Sequence, residues 1–376
     1  MANMFDYLAW RGDLSLSQSP FLDVDSLILS TMSYIFFDGI VSESLEERIT
    51  IREMVERFLS RPQTEWKLRV PEDEKLLRAL KESERFSNME LCGYVNKLDF
   101  QTEKQFAALT VLLGDGTIFV VYRGTDYSLV GWKENFNMCF MDDVPAQLDA
   151  VAYLVKAAEA FPTLSLRVSG HSKGGNLAVY GASMCPHQVQ ERIIAVYNHD
   201  GPGFRETVLE REGYQRILPR MKTFLPQFSV VGMLLEQKGE SIVIRSNEYG
   251  IMQHEPYSWE VMGADFIKQT DLTEKSYFLD QTVSLWMNGL TEEQRELFID
   301  TIYEAVAAAP VDAFGEAALT PRMVISTLQM IRAEDEGTKI ISSGIRMLVD
   351  AARKTADEFA GRSRTDEGER RNQNEK

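Results

Sequence analysis

The sequence predicts an α/β fold in which a mainly parallel sheet carries helices on both faces. Three observations support this prediction. The 376 residues are enough to bury a large core. Segments with strand and helix patterns alternate between residues 91 and 246, which is typical of parallel sheets. A glycine-rich turn at residues 169–178 stands between one predicted strand and the helix after it.

Helical patterns come first along the chain. Residues 1–88 are expected to be mostly helical, because segment 26–37 is apolar on more than one side and segment 45–59 mixes charged and apolar residues at helical spacing. A further helix is expected at 145–161. Strands are predicted at 91–100, 105–113, 117–122, 164–168, 192–197, 221–225 and 241–246.

Beyond residue 259 the strand patterns end, and the charged tail 361–376 is expected to be disordered. Helices are predicted there at 291–309, 321–333 and 338–360. We therefore expect one domain over residues 1–360. Its parts are a helical N-terminal part (1–88), an α/β core (89–259) and a helical C-terminal part or cap (260–360).

Composition and charge limit the classes of function. The formal net charge of −17 argues against binding to a nucleic-acid backbone. No apolar run reaches the ~18 residues needed to span a bilayer, and no secretory signal is visible. Three widely spaced cysteines are typical of a reducing compartment, so a cytoplasmic location is expected. The oligomeric state stays open.

The glycine-rich turn contains the pattern G-x-S-x-G, with Ser172 at its centre and Gly170 and Gly174 on either side. A serine at a sharp strand-to-helix turn exposes its hydroxyl group, and the glycines let neighbouring backbone pass closely. The N-terminus of the following helix favours negative charge beside the serine. Ser172 is therefore predicted to be the nucleophile of a serine hydrolase.

A serine nucleophile needs a general base, and in hydrolases with this turn the chain order is serine, acid, histidine. Of the four histidines, His171 precedes Ser172, and His187 lies on or just past the next helix. His199 ends a predicted strand. His254 follows the last predicted strand, so we predict that it is the base. The alternative is a loop histidine that hydrogen-bonds to backbone.

The acid that orients the base is expected after one of two strands beyond the nucleophile. The first of these strands leads into Asp200, which is followed by glycines that open a turn. The later strand leads into residues 224–229, which contain no carboxylate, and the nearest ones are Glu236 and Glu248. Asp200 is therefore predicted to be the acid. The alternative is an Asx-turn residue that holds the loop.

An oxyanion hole needs two backbone N–H donors aimed at the developing charge. Lys173, which follows the nucleophile, is predicted to supply one. The segment 122–126, with sequence YRGTD, follows a predicted strand, and its Thr125 is predicted to supply the other. An ordinary strand-to-loop turn is the alternative for this segment.

Together these segments resemble the class 3 (fungal-type) lipase family. The resemblance rests on segment 122–126, Trp132, the turn 170–178 and the loop around His254. It covers residues 91–259 and implies an α/β-hydrolase-type fold acting on lipid or acylglycerol esters. It also implies that segment 135–144 borders the acyl pocket. The flanking segments, including 6–13, resemble those of a bacterial lipase-like family of unassigned function.

The chain departs from this family at two positions. The family usually carries its acid after the later strand, where this chain has Ser229. Either Asp200 acts from the earlier strand, or the triad is incomplete. Lys173 replaces an apolar residue. Its ammonium group pairs with Asp200 or another acid, binds an anionic group of the substrate, or reaches solvent.

We therefore expect a serine hydrolase that cleaves a carboxylic ester through an acyl-enzyme on Ser172, with His254 as base and then acid. The expected partner is a small-molecule or lipid ester, and no metal or organic cofactor is expected. Two alternatives stay open. One is a binding or regulatory protein that keeps the fold with degraded chemistry. The other is a thioesterase or peptidase that uses the same nucleophile.

Overall fold

The structure, a computed structural model, describes most of the chain up to residue 291 and short pieces beyond it. The described residues are 2–99, 101–102, 104–125, 134, 137–138, 141–291, 294, 346–347 and 350–356. The chain divides into two compact units, Met1–Leu272 and Thr273–Lys376. The helices predicted at 291–309 and 321–333, most of the helix at 338–360 and the tail lie outside the described residues. A single domain over residues 1–360 stays a prediction.

The first unit is built around a sheet whose eight described strands lie side by side in chain order. The strands are β1 (Ile49–Thr50), β2 (Glu90–Asp99), β3 (Lys104–Leu112), β4 (Thr117–Tyr122), β5 (Ser165–His171), β6 (Ile193–His199), β7 (Met221–Pro226) and β8 (Ser241–Ile244). Strands β1 to β4 pair antiparallel, and β4 to β8 pair parallel. The predicted α/β fold with a mainly parallel sheet is confirmed.

Helices precede the sheet in sequence, separate β1 from β2 and connect the parallel strands β4 to β7. They are α1 (Met4–Arg11), α2 (Asp23–Met32), α3 (Ile51–Leu59), α4 (Pro71–Glu82), α5 (Pro145–Ala160), α6 (Lys173–Met184), α7 (His187–Arg192), α8 (Glu206–Leu209) and α9 (Glu212–Ile217). Two short strands, β9 (Val261–Met262) and β10 (Asp265–Phe266), form a separate hairpin beyond the predicted end of the strand region. The second unit contains α10 (Glu274–Gly289). Among the described residues, no helix is long and apolar enough to cross a bilayer.

The predicted helix at 45–59 begins later than its apolar pattern suggested. Thr50 accepts a hydrogen bond from the Glu53 N–H through its hydroxyl, and the Glu53 carboxylate accepts one from the Thr50 N–H, both at 3.2 Å. This capping box satisfies donors at the helix start. The helix therefore begins at Ile51, and the residues before it form the short edge strand β1.

The sheet is buried on both faces, as strand β4 shows. Its Phe119 and Val121 pack in the core formed with the N-terminal helices. Its Ile118, Val120 and Tyr122 pack in the second core, formed with α5 and α6. Side chains alternate between the two faces of a strand, so a fully apolar strand needs a cover on each face. The N-terminal helices are one of these covers.

A polar stripe runs along the buried side of α2 and continues past its end. Its contacts with the sheet are Ser26 Oγ to His199 Nε2 (2.9 Å), Ser30 Oγ to Ser169 Oγ (2.8 Å) and Tyr34 Oη to His171 Nδ1 (2.8 Å). Residues four apart share one face of a helix, and residues two apart share one face of a strand. The stripe therefore fixes how α2 lies across the carboxyl ends of β5 and β6.

His199 makes the stability of this layer depend on pH. Its ring is fully buried and stacks on Phe224 with 5.1 Å between ring centroids. Burial lowers the pKa of His199 from 6.5 to about 3. Between these pH values the unfolded chain binds a proton that the folded protein does not. The contribution of His199 to the free energy of unfolding is therefore fully present above pH 6.5 and is lost as the pH falls towards 3.

We predict that His199→Gln removes this dependence. The difference in free energy of unfolding between wild type and variant should shrink by about 1.4 kcal/mol per pH unit below the ordinary pKa of histidine. Urea unfolding at several pH values measures it. The matched control is His187→Gln, because the His187 side chain is 58% exposed and its difference from wild type should stay constant. A constant difference for His199→Gln would contradict the prediction.

Candidate active site

Ser172 lies at the turn between β5 and α6, with its backbone at φ 58° and ψ −134°. A non-glycine residue with positive φ is uncommon, and such strain concentrates at functional sites. Hydrogen bonds on both sides hold the turn: the Ser172 N–H donates to the His199 carbonyl (2.9 Å), and the Gly175 N–H donates to the Ser172 carbonyl (2.8 Å). The serine is half-buried, and its side chain hydrogen-bonds to that of Tyr34.

Two glycines allow this turn to form. A Cβ atom on Gly170 would lie 2.1 Å from the carbonyl carbon and oxygen of Gly174. A Cβ on Gly174 would lie 2.1 Å from the Tyr122 carbonyl oxygen, at the end of β4. Both distances are far below van der Waals contact. The turn therefore closes on itself and on β4 only if both positions lack a side chain, which agrees with the role expected for these glycines.

Asp200 and His254 meet at the carboxyl edge of the sheet. Asp200 follows β6, and His254 ends a 3-10 turn, Gly250–His254, that comes after β8. The distance from His254 Nδ1 to Asp200 Oδ2 is 2.6 Å, with the carboxylate fully buried and the imidazole 24% exposed. A carboxylate only accepts, so Nδ1 carries the hydrogen and Nε2 keeps its lone pair. This is the tautomer that a general base needs.

Ser229 contacts Asp200, the predicted acid, from the neighbouring loop. It lies after β7, where the resemblance placed the acid, and its hydroxyl donates to Asp200 Oδ1 at 2.5 Å. The Gly232 N–H donates to the same oxygen at 3.1 Å. Both carboxylate oxygens of Asp200 are therefore engaged, one by His254 and one by this loop. The residue that marked a departure from the family thus contacts the acid on the adjacent strand.

Ser172 and His254, both in the described part of the chain, do not hydrogen-bond to each other through Oγ and Nε2. The residue next to Ser172 nevertheless lies close to His254. The ring of His171, the residue before the nucleophile, lies 4.5 Å from the His254 ring between centroids. Hydrogen bonds between nucleophile and base are often long in free enzymes and tighten when substrate binds.

His171 links the nucleophile strand to the loop that carries the base. Its ring is buried, and burial, with a smaller contribution from His254, holds the pKa of His171 well below its ordinary value. The neutral ring donates from Nε2 to the His254 carbonyl oxygen (2.8 Å) and accepts from the Tyr34 hydroxyl at Nδ1 (2.8 Å). Sequence reasoning excluded His171 as the base and gave it no other role.

Tyr34 and Arg69 bring the N-terminal helical part into the site. Burial raises the pKa of Tyr34 well above that of ordinary tyrosine, while the nearby side chains of Arg69 and Ser172 lower it. The Arg69 guanidinium lies 4.8 Å from the centroid of the Tyr34 ring. It also forms a two-pronged ion pair with Glu255, the residue after His254, with Nη2 to Oε1 at 2.7 Å. The loop that carries His254, the predicted base, is therefore also held by the N-terminal helical part of the chain.

The two predicted oxyanion donors, the N–H groups of Lys173 and Thr125, belong to chain segments that approach each other closely. Lys173 is the first residue of α6, and the N–H groups of a first helical turn are not used by the helix itself. Thr125 follows Gly124, where a Cβ atom would lie 2.7 Å from the His171 carbonyl oxygen and 2.0 Å from Tyr34 Oη. The segment before Thr125 therefore lies against the turn. Trp132 and much of segment 135–144 lie outside the described residues.

The Lys173 side chain is buried, so the alternative in which it reaches solvent is wrong. Its Nζ lies 2.9 Å from Glu134 Oε2, and neither side chain is more than 1% exposed. Of the alternatives left open by the sequence, the structure selects pairing with an acid other than Asp200. Nothing local in the sequence pointed to Glu134, which lies 39 positions earlier.

This chain is similar to one family model and to solved structures of lipases. A family model described as Mbeg1-like matches residues 80–304, more than half of the chain. No curated protein matches at a significant level. Among solved structures, similar chains include the Rhizomucor miehei lipase propeptide complex (16% identity, TM-score 0.33, covering 45% of this chain and 58% of that chain) and the lipase from Rhizopus microsporus var. chinensis (16%, 0.35, 57% and 75%). A third is a mutant form of MDLA from Penicillium cyclopium (12%, 0.34, 63% and 83%).

The chain covers 58% of the Rhizomucor miehei chain, less than two thirds of its length.

We predict that Gly174→Ala destabilises the protein by about 3 kcal/mol, because the new methyl group would meet the Tyr122 carbonyl, a backbone atom at the end of a central strand. Gly114→Ala is the matched control. Gly114 has positive φ (82°), but a Cβ there has nothing within 4 Å, so only the backbone cost of about 1 kcal/mol is expected. Urea unfolding measures both, and equal losses would argue against the close contact.

Proposed function

We propose that this chain, which belongs to the Mbeg1-like family, is a serine hydrolase of carboxylic esters, with lipid or acylglycerol esters as the substrate class. The observation that carries the proposal is the 2.6 Å hydrogen bond between His254 Nδ1 and Asp200 Oδ2. It orients an imidazole at the same sheet edge as the strained turn of Ser172. The lipase-like fold supports a hydrolase and leaves the substrate to experiment.

In the proposed reaction, His254 Nε2 takes the proton of the Ser172 hydroxyl as the oxygen attacks the ester carbonyl. Asp200 stabilises the imidazolium that forms. The backbone N–H groups of Lys173 and Thr125 hold the oxyanion of the tetrahedral intermediate. Its collapse releases the alcohol, which receives the proton from His254. Water then attacks the acyl-enzyme with the same base, and the carboxylic acid leaves.

The main alternative was a binding protein with an incomplete triad, suggested by Ser229 at the usual acid position. The contact between Asp200 and His254 favours the hydrolase, because an acid reaches the base from the earlier strand. A thioesterase or peptidase would use the same groups, and a panel of oxygen esters, thioesters and peptide amides separates these activities. A cytoplasmic location, favoured by the few, widely spaced cysteines, completes the proposal.

The nucleophile is tested with an alkyl fluorophosphonate probe. We expect covalent labelling of the wild type at Ser172, located by mass spectrometry of the labelled peptide, and loss of labelling in Ser172→Ala. Ser229→Ala is the matched control, because it removes a nearby hydroxyl group and leaves Ser172 intact. Labelling that survives in Ser172→Ala, or a wild type that stays unlabelled, would refute the proposed chemistry.

The acid is tested by Asp200→Asn. Asparagine keeps the shape and tolerates the left-handed backbone of this position (φ 51°), but its amide does not stabilise the imidazolium and favours the wrong tautomer. We expect kcat/KM for p-nitrophenyl butyrate to fall about 10⁴-fold. Ser229→Ala keeps the carboxylate and removes one hydrogen bond to it, so its loss should be far smaller. Similar losses in the two variants would count against Asp200 as the acid.

A further inference from the structure

We infer that the buried ion pair between Lys173 and Glu134 positions the oxyanion hole. The inference rests on the proposed function and assigns the Lys173 side chain, Glu134 and Gln105 as positioning residues. The Lys173 main chain supplies one oxyanion donor, and the side chain of the same residue is anchored beneath the turn. If the Lys173 side chain moved, the main-chain N–H donor of the same residue would move with it.

Several hydrogen bonds hold each ion of the pair. Lys173 Nζ lies 2.9 Å from Glu134 Oε2, 2.6 Å from the Gln105 carbonyl oxygen and 2.6 Å from Gln105 Oε1. An ammonium group has three N–H donors, so each has an acceptor. Glu134 also accepts from the Gln105 N–H at Oε2 and from the Ala146 N–H at Oε1, both at 3.0 Å. The geometry therefore fixes the ammonium group at one point.

The network connects both proposed donors. Through Gln105 it anchors the start of β3, and the Gln105 side-chain amide reaches the carbonyl oxygen of Gly124 at 3.5 Å. Gly124 immediately precedes Thr125, the second proposed donor. Through Glu134 the network holds the first turn of α5. The two sides of the oxyanion hole thus share one set of hydrogen bonds.

Stability alone does not explain a buried pair here. Removing two charges from water costs free energy, and well-packed apolar side chains at such sites are often as stable or more so. The sequence at this turn resembles that of a family with an apolar residue in place of Lys173, so an apolar side chain is compatible with such a turn. A charge pair adds directional contacts that an apolar side chain lacks, and those contacts are what preorganised donors require.

The test uses Lys173→Met/Glu134→Gln, which removes both charges together and so leaves no unpaired ion. The probe is the alkyl fluorophosphonate, whose phosphonyl oxygen needs the oxyanion hole during attack by Ser172. The rate constant kinact and the constant KI are measured separately, beside the urea midpoint and the circular dichroism spectrum. We expect kinact to fall about 10- to 100-fold while KI changes little. A purely structural pair would leave kinact unchanged in a folded variant.

The matched control is Lys104→Met/Asp149→Asn. This ion pair joins the start of β3 to α5 at 2.9 Å, beside the network, and both of its side chains are partly exposed. It does not contact the turn of Ser172 in the described structure. We expect its kinact to equal that of the wild type. A fall as large as that of the buried pair would overturn the inference, because any disturbance of β3 and α5 would then suffice.

A second variant decides the question if the double variant does not fold. Gln105→Leu keeps the ion pair but removes the amide between Lys173 and Gly124, and we expect kinact to fall at least about fivefold. If either variant folds and has the kinact of the wild type, this inference is wrong and the proposed function stands. A wild type that the probe does not label overturns the proposed function and this inference with it.

Discussion

The backbone of Ser172 sits in a conformation that serine rarely adopts, and the close passage of three chain segments keeps it there. Gly170 lies against Gly174 within the turn, and Gly174 lies against the end of β4 at Tyr122. Such strain persists only where the surroundings over-determine it. Here the surroundings are hydrogen bonds from β6 and from the first turn of α6. The positions of Ser172, the proposed nucleophile, and of the adjacent Lys173 N–H follow from this contact.

The N-terminal helices are part of the site as well as a cover for the sheet. Helix α2 is almost wholly buried, and its Ser26 and Ser30 hydroxyls contact β6 and β5. Just beyond it, Tyr34 holds His171, and His171 holds the main chain of His254. His254, the predicted base, is therefore fixed twice, through its ring by Asp200 and through its backbone by His171. A truncation of residues 1–88 would remove both a core and the contact from Tyr34.

The buried charges of Asp200, Lys173 and Glu134 are each matched by several hydrogen bonds. Asp200 is held on both oxygens, and the pair of Lys173 and Glu134 is held by backbone as well as by side chains. Buried charges with incomplete partners would be costly. The same rule applies to Arg85 and Asp25 in the N-terminal layer, whose side chains are fully buried and paired.

The sequence by itself predicted the seven longer strands, the turn and a short list of candidate reacting groups. Periodicity located β4 to the residue, and chain order selected His254 and Asp200 from few candidates. These features depend on local pattern, which the sequence carries directly. Tertiary structure alone decided the partner of Lys173, the role of His171 and the contact from Tyr34. These contacts join residues that lie between 39 and 137 positions apart in the sequence. They form only once the sheet and both helical layers have packed.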